Sequence, residues 1–520
     1  MKTPSSDLFN LIHSLSKTEK RYFKTQAQRH VIGGKNSYVD LFDAIAMQKE
    51  FDEEKLKKKL AKAVEIKHWA STKKYLYEQL LDSLHQFRLT HSVEEKIKKG
   101  IHTIRILLDK QLYKQSEKLI SKIRKLIIDY GLYEYMPELL SNERKHLKRQ
   151  TQRKKVGDKD WYEMHEKMQD ALVQIELKDK ILLINSLVMD WHLKKGVLKK
   201  EEEKAKLDEL MADKVLEIEP DHKNIQLYSS VQHIHTMYSF LNGNIKGALE
   251  HTQKAVKHIE DNPKLVALNP SGCLAFYGNL MNFSFQCKED EEFLKHAEKF
   301  LKLPVHSVLK RVPRIGASVF ARGHVLLLNM HLIDGAFDKI VELIPVVEKG
   351  IDTHKNGMMT VHLVNLQLLI ALSYFGLGNY EKCLEYCDAV LDHKVKDVIE
   401  DFYYGASLLQ LIAHYELGND RLLESLLKNT RRRNNSKGNP YEAERLLFYY
   451  LNKLNNAPAQ KEQKVLYELF LEDIQKVKED TAENRPFQFF FYVTWLKSKV
   501  NNCSFKDAFQ KEDADWRLSD

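Results

Sequence analysis

A chain of 520 residues has room for several domains, yet only 20 glycines and 11 prolines punctuate it, and just Pro4 and Pro137 come before Pro220. The formal charge of +9 hides an asymmetry: residues 1–160 carry 35 Lys and Arg against 21 Asp and Glu, a balance of +14, and the remainder is acidic. No stretch approaches the roughly twenty apolar residues that cross a bilayer, and Met1 to Asp7 lead into a helix without a secretory core or cleavage site, so the expectation is a cytoplasmic protein without membrane insertion.

In chain order, residues 1–98 read as a basic N-terminal helical unit. Ser16-Lys17-Thr18-Glu19 is a capping box, in which the serine accepts from an orphan amide and the glutamate reaches back. Asn36 is placed to cap a helix through about Met47, Asp52 another through about Val64, and Ser71 a longer one through about Leu89. Short helices before a longer one also fit a helix-turn-helix with Tyr75 to Phe87 as its recognition helix, although a bundle with no nucleic-acid role has the same pattern.

Residues 99–440 are expected to form helical repeats. Leu377-Gly378-Asn379-Tyr380 recurs as Leu417-Gly418-Asn419-Asp420, each time between two apolar helical stretches. Around the first of these, Ala371 and Tyr374 precede Gly378, and Tyr380, Cys383, Cys387 and Val390 follow it. A small residue and an aromatic three further on share one helix face, and glycine ends that helix in a left-handed conformation costly for other residues. The template also fits Thr236, Ser239, Gly243, Ile245, Ala248, Thr252 and Ala255, and again Leu328, His331, Gly335, Phe337, Ile340, Ile344 and Val347. Weaker copies turn at Cys287 and at Gln111. Turn positions 243, 287, 335, 378 and 418 lie 44, 48, 43 and 40 residues apart, so the helices or their connections are long for a motif of roughly 34 residues.

Between about 131 and 225 the signature fades, and Trp161, Met164, Met168, Leu172 and Ile175, then Leu182, Leu183, Leu187 and Trp191, read as a core-facing helical stripe. Residues 441–520 are expected to supply C-terminal capping helices and a polar tail: Tyr441 to Leu454, Lys464 to Val477, and a last helix beginning at Pro486 that contains Phe487, Phe489, Phe490, Phe491, Tyr492, Trp495 and Leu496.

Over roughly residues 99–430 these repeats resemble the tetratricopeptide-repeat superfamily, without its tryptophan and most of its prolines. The chain is also similar to a group of cytoplasmic proteins of Bacteroidota that pair such repeats with a segment like Leu15-Ser16-Lys17-Thr18-Glu19-Lys20-Arg21-Tyr22-Phe23-Lys24, a likeness that implies no activity. The first resemblance implies an all-α fold, a right-handed α-solenoid of helix hairpins, whose concave face binds a peptide or partner segment. Mapped onto this chain, the groove positions are His233, Met237 and Phe240, then Tyr277 and Met281, Arg322 and Asn329, Asn365 and Phe375, and Tyr415.

Signatures of chemistry are sparse. Gly376-Leu377-Gly378 has no third glycine in register, and neither HExxH nor GxSxG occurs. His233 and His235 are two apart and diverge on a helix, whereas His251 and His258 share a face without a third ligand at fixed spacing, so neither pair predicts a metal. Glu201-Glu202-Glu203 and Asp290-Glu291-Glu292 fan outward at helix starts, and the five cysteines read as buried thiols in a reducing compartment. No cofactor and no enzyme activity are expected. Basic character concentrates at Arg144, Lys145, Lys148, Arg149, Arg153, Lys154 and Lys155, with Arg431-Arg432-Arg433 as a second cluster, and these suit phosphate or an acidic peptide. The leading expectation is a non-enzymatic scaffold that binds another protein or a peptide. Its rival is a nucleic-acid-binding or regulatory protein that uses the basic N-terminal unit.

Overall fold

A computed structural model describes residues 6–29, 37–48, 50–61, 68–89, 92–150, 157–195, 198, 200–219, 225–303, 314–354, 357–393, 400–435, 441–457, 459–478, 487 and 490–510. Among them there is no strand, and helices account for nearly all of the ordered backbone. The chain divides into two compact units, one of Met1–Asn244 with Glu250–Cys273, the other of Ile245–Leu249 with Leu274–Asp520.

The first unit begins with α1 (Asp7–Ser14), α2 (Lys17–Arg29), α3 (Ser37–Ala46), α4 (Glu53–Leu60) and α5 (Trp69–Leu89). These five share a core built on Ile12, Phe23, Leu41, Phe42, Leu56 and Leu76. The capping box forms: the Ser16 amide donates to Glu19 at 2.8 Å, and the Glu19 amide donates to Ser16 Oγ at 3.2 Å. Asp52 caps α4 by accepting from the Lys55 amide at 2.9 Å, whereas Asn36 lies outside the described residues. Ser71 is not a cap. The helix begins two residues earlier at Trp69, and the Ser71 hydroxyl donates back to the His68 carbonyl, the alternative that serine takes inside a first turn.

Next come α6 (Val93–Asp109), α7 (Tyr113–Tyr130), α8 (Met136–Gln150) and α9 (Asp158–Lys195), packed successively against one another. Ile97, Ile101, Ile104, Ile120, Ile123, Ile127, Leu139 and Leu140 fill the space between α6, α7 and α8. The stretch with faded repeats is largely one helix, α9, of 38 residues. Its apolar stripe is not core throughout. Met164 is buried, but Leu172, Leu182, Leu183 and Leu187 are exposed, because the covered face of α9 is the one that carries Ala171, Ile181, Ile184 and Val188. The unit continues through α10 (Glu201–Met211), α11 (Ile225–Leu241), the greater part of α12 (Ile245–Asp261) and the short α13 (Lys264–Leu268).

The second unit holds α14 (Pro270–Gln286, from Leu274 on), α15 (Asp290–Lys302), α16 (Ile315–Ile333), α17 (Phe337–His354), α18 (Thr360–Gly376), α19 (Tyr380–Leu391), α20 (Glu400–Glu416) and α21 (Asp420–Asn435). After them run α22 (Glu442–Asn455), α23 (Gln460–Lys478), α24 (Tyr492–Val500) and α25 (Phe505–Gln510). Pro486 lies outside the described residues, and the last aromatic stretch turns helical only at Tyr492.

Helix endings follow one physical device. Gly243, Gly335, Gly378 and Gly418 all have positive φ, between 61° and 74°. At each, the next amide reaches five residues back: Asn244 to Ser239, Ala336 to His331, Asn379 to Tyr374 and Asn419 to His414, at 2.8–3.0 Å. That bond satisfies a carbonyl which the helix end would leave orphaned. The weak copies use it too, with Gln111 left-handed at its expected place. In the other, the left-handed residue is Lys288, one place after the expected Cys287, which accounts for the extra residue in that copy. A Cβ on Gly378 would meet nothing within 4 Å, whereas one on Gly335 would approach the Phe509 ring to 2.7 Å. Gly378→Ala is therefore expected to cost about 1 kcal/mol, the left-handed penalty alone, and Gly335→Ala clearly more. Equal losses in urea unfolding would contradict this account.

Candidate interaction surfaces

The ten groove positions do not form one surface. Met237, Tyr277, Met281 and Phe375 are buried and serve as core. Spacing places them on the same helix faces as the polar candidates, but their contacts are with neighbouring helices. A partner could reach them only by displacing that packing.

In the first unit, α9 packs on α11 and covers the face expected to be open. His233 Nδ1 lies 2.9 Å from Asn185 Oδ1 of α9, and the Phe240 ring stands edge-on to His192 of α9 at 5.2 Å. Burial, and secondarily the nearby His192, holds the His233 imidazole down at about 4. On the opposite side of α11, Thr236 Oγ1 and Thr252 Oγ1 approach to 3.3 Å, and Ala255 and Thr252 are buried, as the small positions of a close hairpin require. His235 stacks on His251 with ring centroids 4.9 Å apart, and His258 Nε2 meets the Ile225 carbonyl at 2.8 Å. These histidines are thus packing and hydrogen-bonding groups. Among the described residues no group of three or more His, Cys, Asp or Glu is placed to hold a metal ion.

In the second unit, the chain's own C-terminal helices cover part of the expected surface. The Phe375 ring meets Phe490 at 5.0 Å and Phe505 at 5.7 Å, both edge-on. The Tyr415 hydroxyl lies 2.5 Å from that of Tyr467 on α23, and the Tyr415 ring packs edge-on against Trp495 of α24. Next to it the almost buried Glu416 accepts from Trp495 Nε1 at 2.6 Å and pairs with Lys499. Phe509 of α25 meets Phe337 and the turn at Gly335, and Lys506 pairs with Asp338 at 2.7 Å. The segment from Phe490 to Phe509 therefore crosses the turn ends of three successive hairpins, α16/α17, α18/α19 and α20/α21. Sequence spacing alone did not reveal this, although the density of aromatics after Pro486 was its signal.

What remains accessible is a polar face on α16 and α18, two helices that pack together. Arg322 and Asn329 are two turns apart on α16, His362 and Asn365 are one turn apart on α18, and all four are half-buried. Among the described residues Arg322 makes no hydrogen bond and no ion pair, and its Nε is buried without a partner. Burial alone pulls the Arg322 guanidinium below its ordinary range, and burial, then the charge of Arg322, pulls the His362 imidazole down. His362 is the member that the repeat template missed; it precedes Asn365 by one helical turn. A partly desolvated guanidinium without a counter-charge is costly until an anion reaches it, because arginine cannot shed its proton. This face can therefore take a carboxylate or phosphate in bidentate fashion.

The basic patch is present in part. Arg144, Lys145, Lys148 and Arg149 are exposed on α8, whereas Arg153, Lys154 and Lys155 lie outside the described residues. Arg149 is engaged with its own fold, donating to the Leu108 carbonyl at 2.6 Å. Arg431 and Arg432 are exposed near the end of α21. The helix considered for DNA reading, α5, presents Lys74, Tyr75, Glu78, Leu81, Asp82, His85 and Gln86 to solvent. Two carboxylates against one lysine are unfavourable beside a phosphate backbone. The buried thiols are also poorly suited to nucleophilic work: burial pushes Cys273 up to about 12, and Cys387 is pushed well up by its hydrogen bond to Cys383 and by burial.

No family model, curated protein or solved structure matches the chain. Among the described residues no helix is long and apolar enough to cross a membrane.

Proposed function

We propose that this chain is a non-enzymatic interaction scaffold of the cytoplasm, a right-handed stack of tetratricopeptide-like hairpins that binds an acidic peptide or partner segment on the face of α16 and α18. The observation that carries the reading is Arg322, half-buried and without a counter-charge among the described residues. Asn329, His362 and Asn365 flank it on the same two helices and would supply the neutral donors and acceptors that orient an extended segment. The recurring left-handed turns support the repeat architecture, since they end successive first helices in the same way.

The test is capture from native lysate by the intact chain, compared with Arg322→Ala and Asn365→Ala, alongside thermal melting of each variant. Replacing an unpaired, partly desolvated arginine should leave Tm unchanged or raise it while removing the captured partner. If the same proteins are captured by wild type and by both variants, the face on α16 and α18 is not the binding surface. If Arg322→Ala lowers Tm by several degrees, the guanidinium is structural and this reading fails.

A further inference from the structure

Helix α9 carries a second, unused surface. From Tyr162 to Leu187 the exposed residues recur at alternating steps of four and three: Tyr162, Glu166, Gln169, Val173, Glu176, Lys180, Leu183 and Leu187. This is a heptad seam, and every member of it faces solvent. Val173 and Leu183 are each 58% exposed and Leu187 41% exposed, with Leu172 beside them also open. A solvent-facing heptad seam is the pattern of a helix that pairs with another helix, whereas a merely solvated face has no reason to keep leucine and valine in register.

We propose that α9 is a homodimerisation helix, and that it pairs antiparallel with α9 of a second copy of this chain about a two-fold axis beside residue 178. The charge order on the seam selects this partner and this direction. With that axis, Val173 of one copy lies opposite Leu183 of the other, Gln169 opposite Leu187, and Glu176 opposite Lys180. Each layer then joins the two kinds of seam position, as antiparallel helices require, and both Glu176/Lys180 pairs are of opposite charge. A parallel pair in register would set Glu176 against Glu176 and Lys180 against Lys180, and like charges in the middle of a seam select against that arrangement. The paired layers from residue 169 to residue 187 cover about 27 Å of helix, long enough for a self-complementary contact. Within one copy Lys180 is bonded to Asp213 at 2.7 Å but keeps half of its side chain exposed, so it can serve a second carboxylate.

Sedimentation equilibrium of the full chain tests the proposal. Wild type should show a monomer–dimer equilibrium below about 100 μM. Glu176→Lys and Lys180→Glu should each weaken the dimer by about tenfold or more, because each places like charges face to face, and the double exchange should restore it. Under mild oxidation the Val173→Cys/Leu183→Cys variant should form a covalent dimer and Val173→Cys alone should not, since the two copies of position 173 are far apart in an antiparallel pair. A monomeric wild type would overturn the proposal, as would single charge reversals without effect, a double exchange that fails to restore the dimer, or cross-linking through Val173→Cys alone.

Discussion

Trp495→Ala is expected to destabilise the second unit by about 3–5 kcal/mol, the usual cost of deleting a buried large aromatic. Trp495 is among the largest fully buried side chains, and its ring stands edge-on to Tyr415, Tyr467, Phe470 and Phe490. It also supplies one of the donors that compensate the Glu416 carboxylate inside the protein. Loss of that donor adds to the cavity cost, because a buried acceptor without its partner carries a desolvation penalty of about 1–3 kcal/mol. Trp495→Phe separates the two contributions, since it keeps most of the apolar volume and removes only the indole N–H. Its loss should fall near the second figure. Urea unfolding followed by intrinsic fluorescence measures both variants. A loss below about 1 kcal/mol for Trp495→Ala would mean that α24 is an appendage and not part of the core.

Acidification should destabilise the first unit between pH 6.5 and about 4. His233 is held at about 4 by burial and, less, by His192; His251 is held at about 4 by burial, then His235 and Lys254. Both therefore stay neutral in the folded chain at pH values where the unfolded chain takes up protons, near 6.5. The sign follows from linkage: a folded-state pKa below the unfolded value gives stability that is complete above pH 6.5 and is lost as pH falls through the window toward 4. For the largely buried His233 a displacement of this size corresponds to about 3 kcal/mol; His251 is more exposed and adds less. His233→Gln should flatten the dependence while preserving the bond to Asn185. A urea midpoint that did not fall between pH 7 and pH 4.5, or that fell identically in His233→Gln, would contradict this assignment.

The same contrast explains what could be read from the sequence. Turns were legible because glycine at a helix end has a local cause: the left-handed residue and the bond reaching five residues back involve one short segment. The capping box at Ser16 and Glu19 is local in the same sense, and so are the small positions Thr236 and Thr252. Spacing failed where the question was which neighbour covers a face. It placed His233 and Phe240 on one side of α11, but that side lies beneath α9. It placed Phe375 and Tyr415 on first helices, but Phe490 and Trp495, more than seventy residues later, cover them. On α9 the stripe through Leu172, Leu183 and Leu187 has helical period, and period alone does not say whether protein or solvent lies opposite. Arg322 was legible as a groove position, whereas its want of a counter-charge emerges only from the packing of α16 on α18.

The central claim is that the face of α16 and α18 holds an acidic segment through Arg322, and selection of displayed peptides on the intact chain tests it most directly. Bound peptides should share Asp or Glu at one fixed position, and this preference should disappear with Arg322→Ala and change to Lys or Arg with Arg322→Glu. Selection of the same peptides by wild type and both variants, or the absence of any acidic position among them, would contradict it.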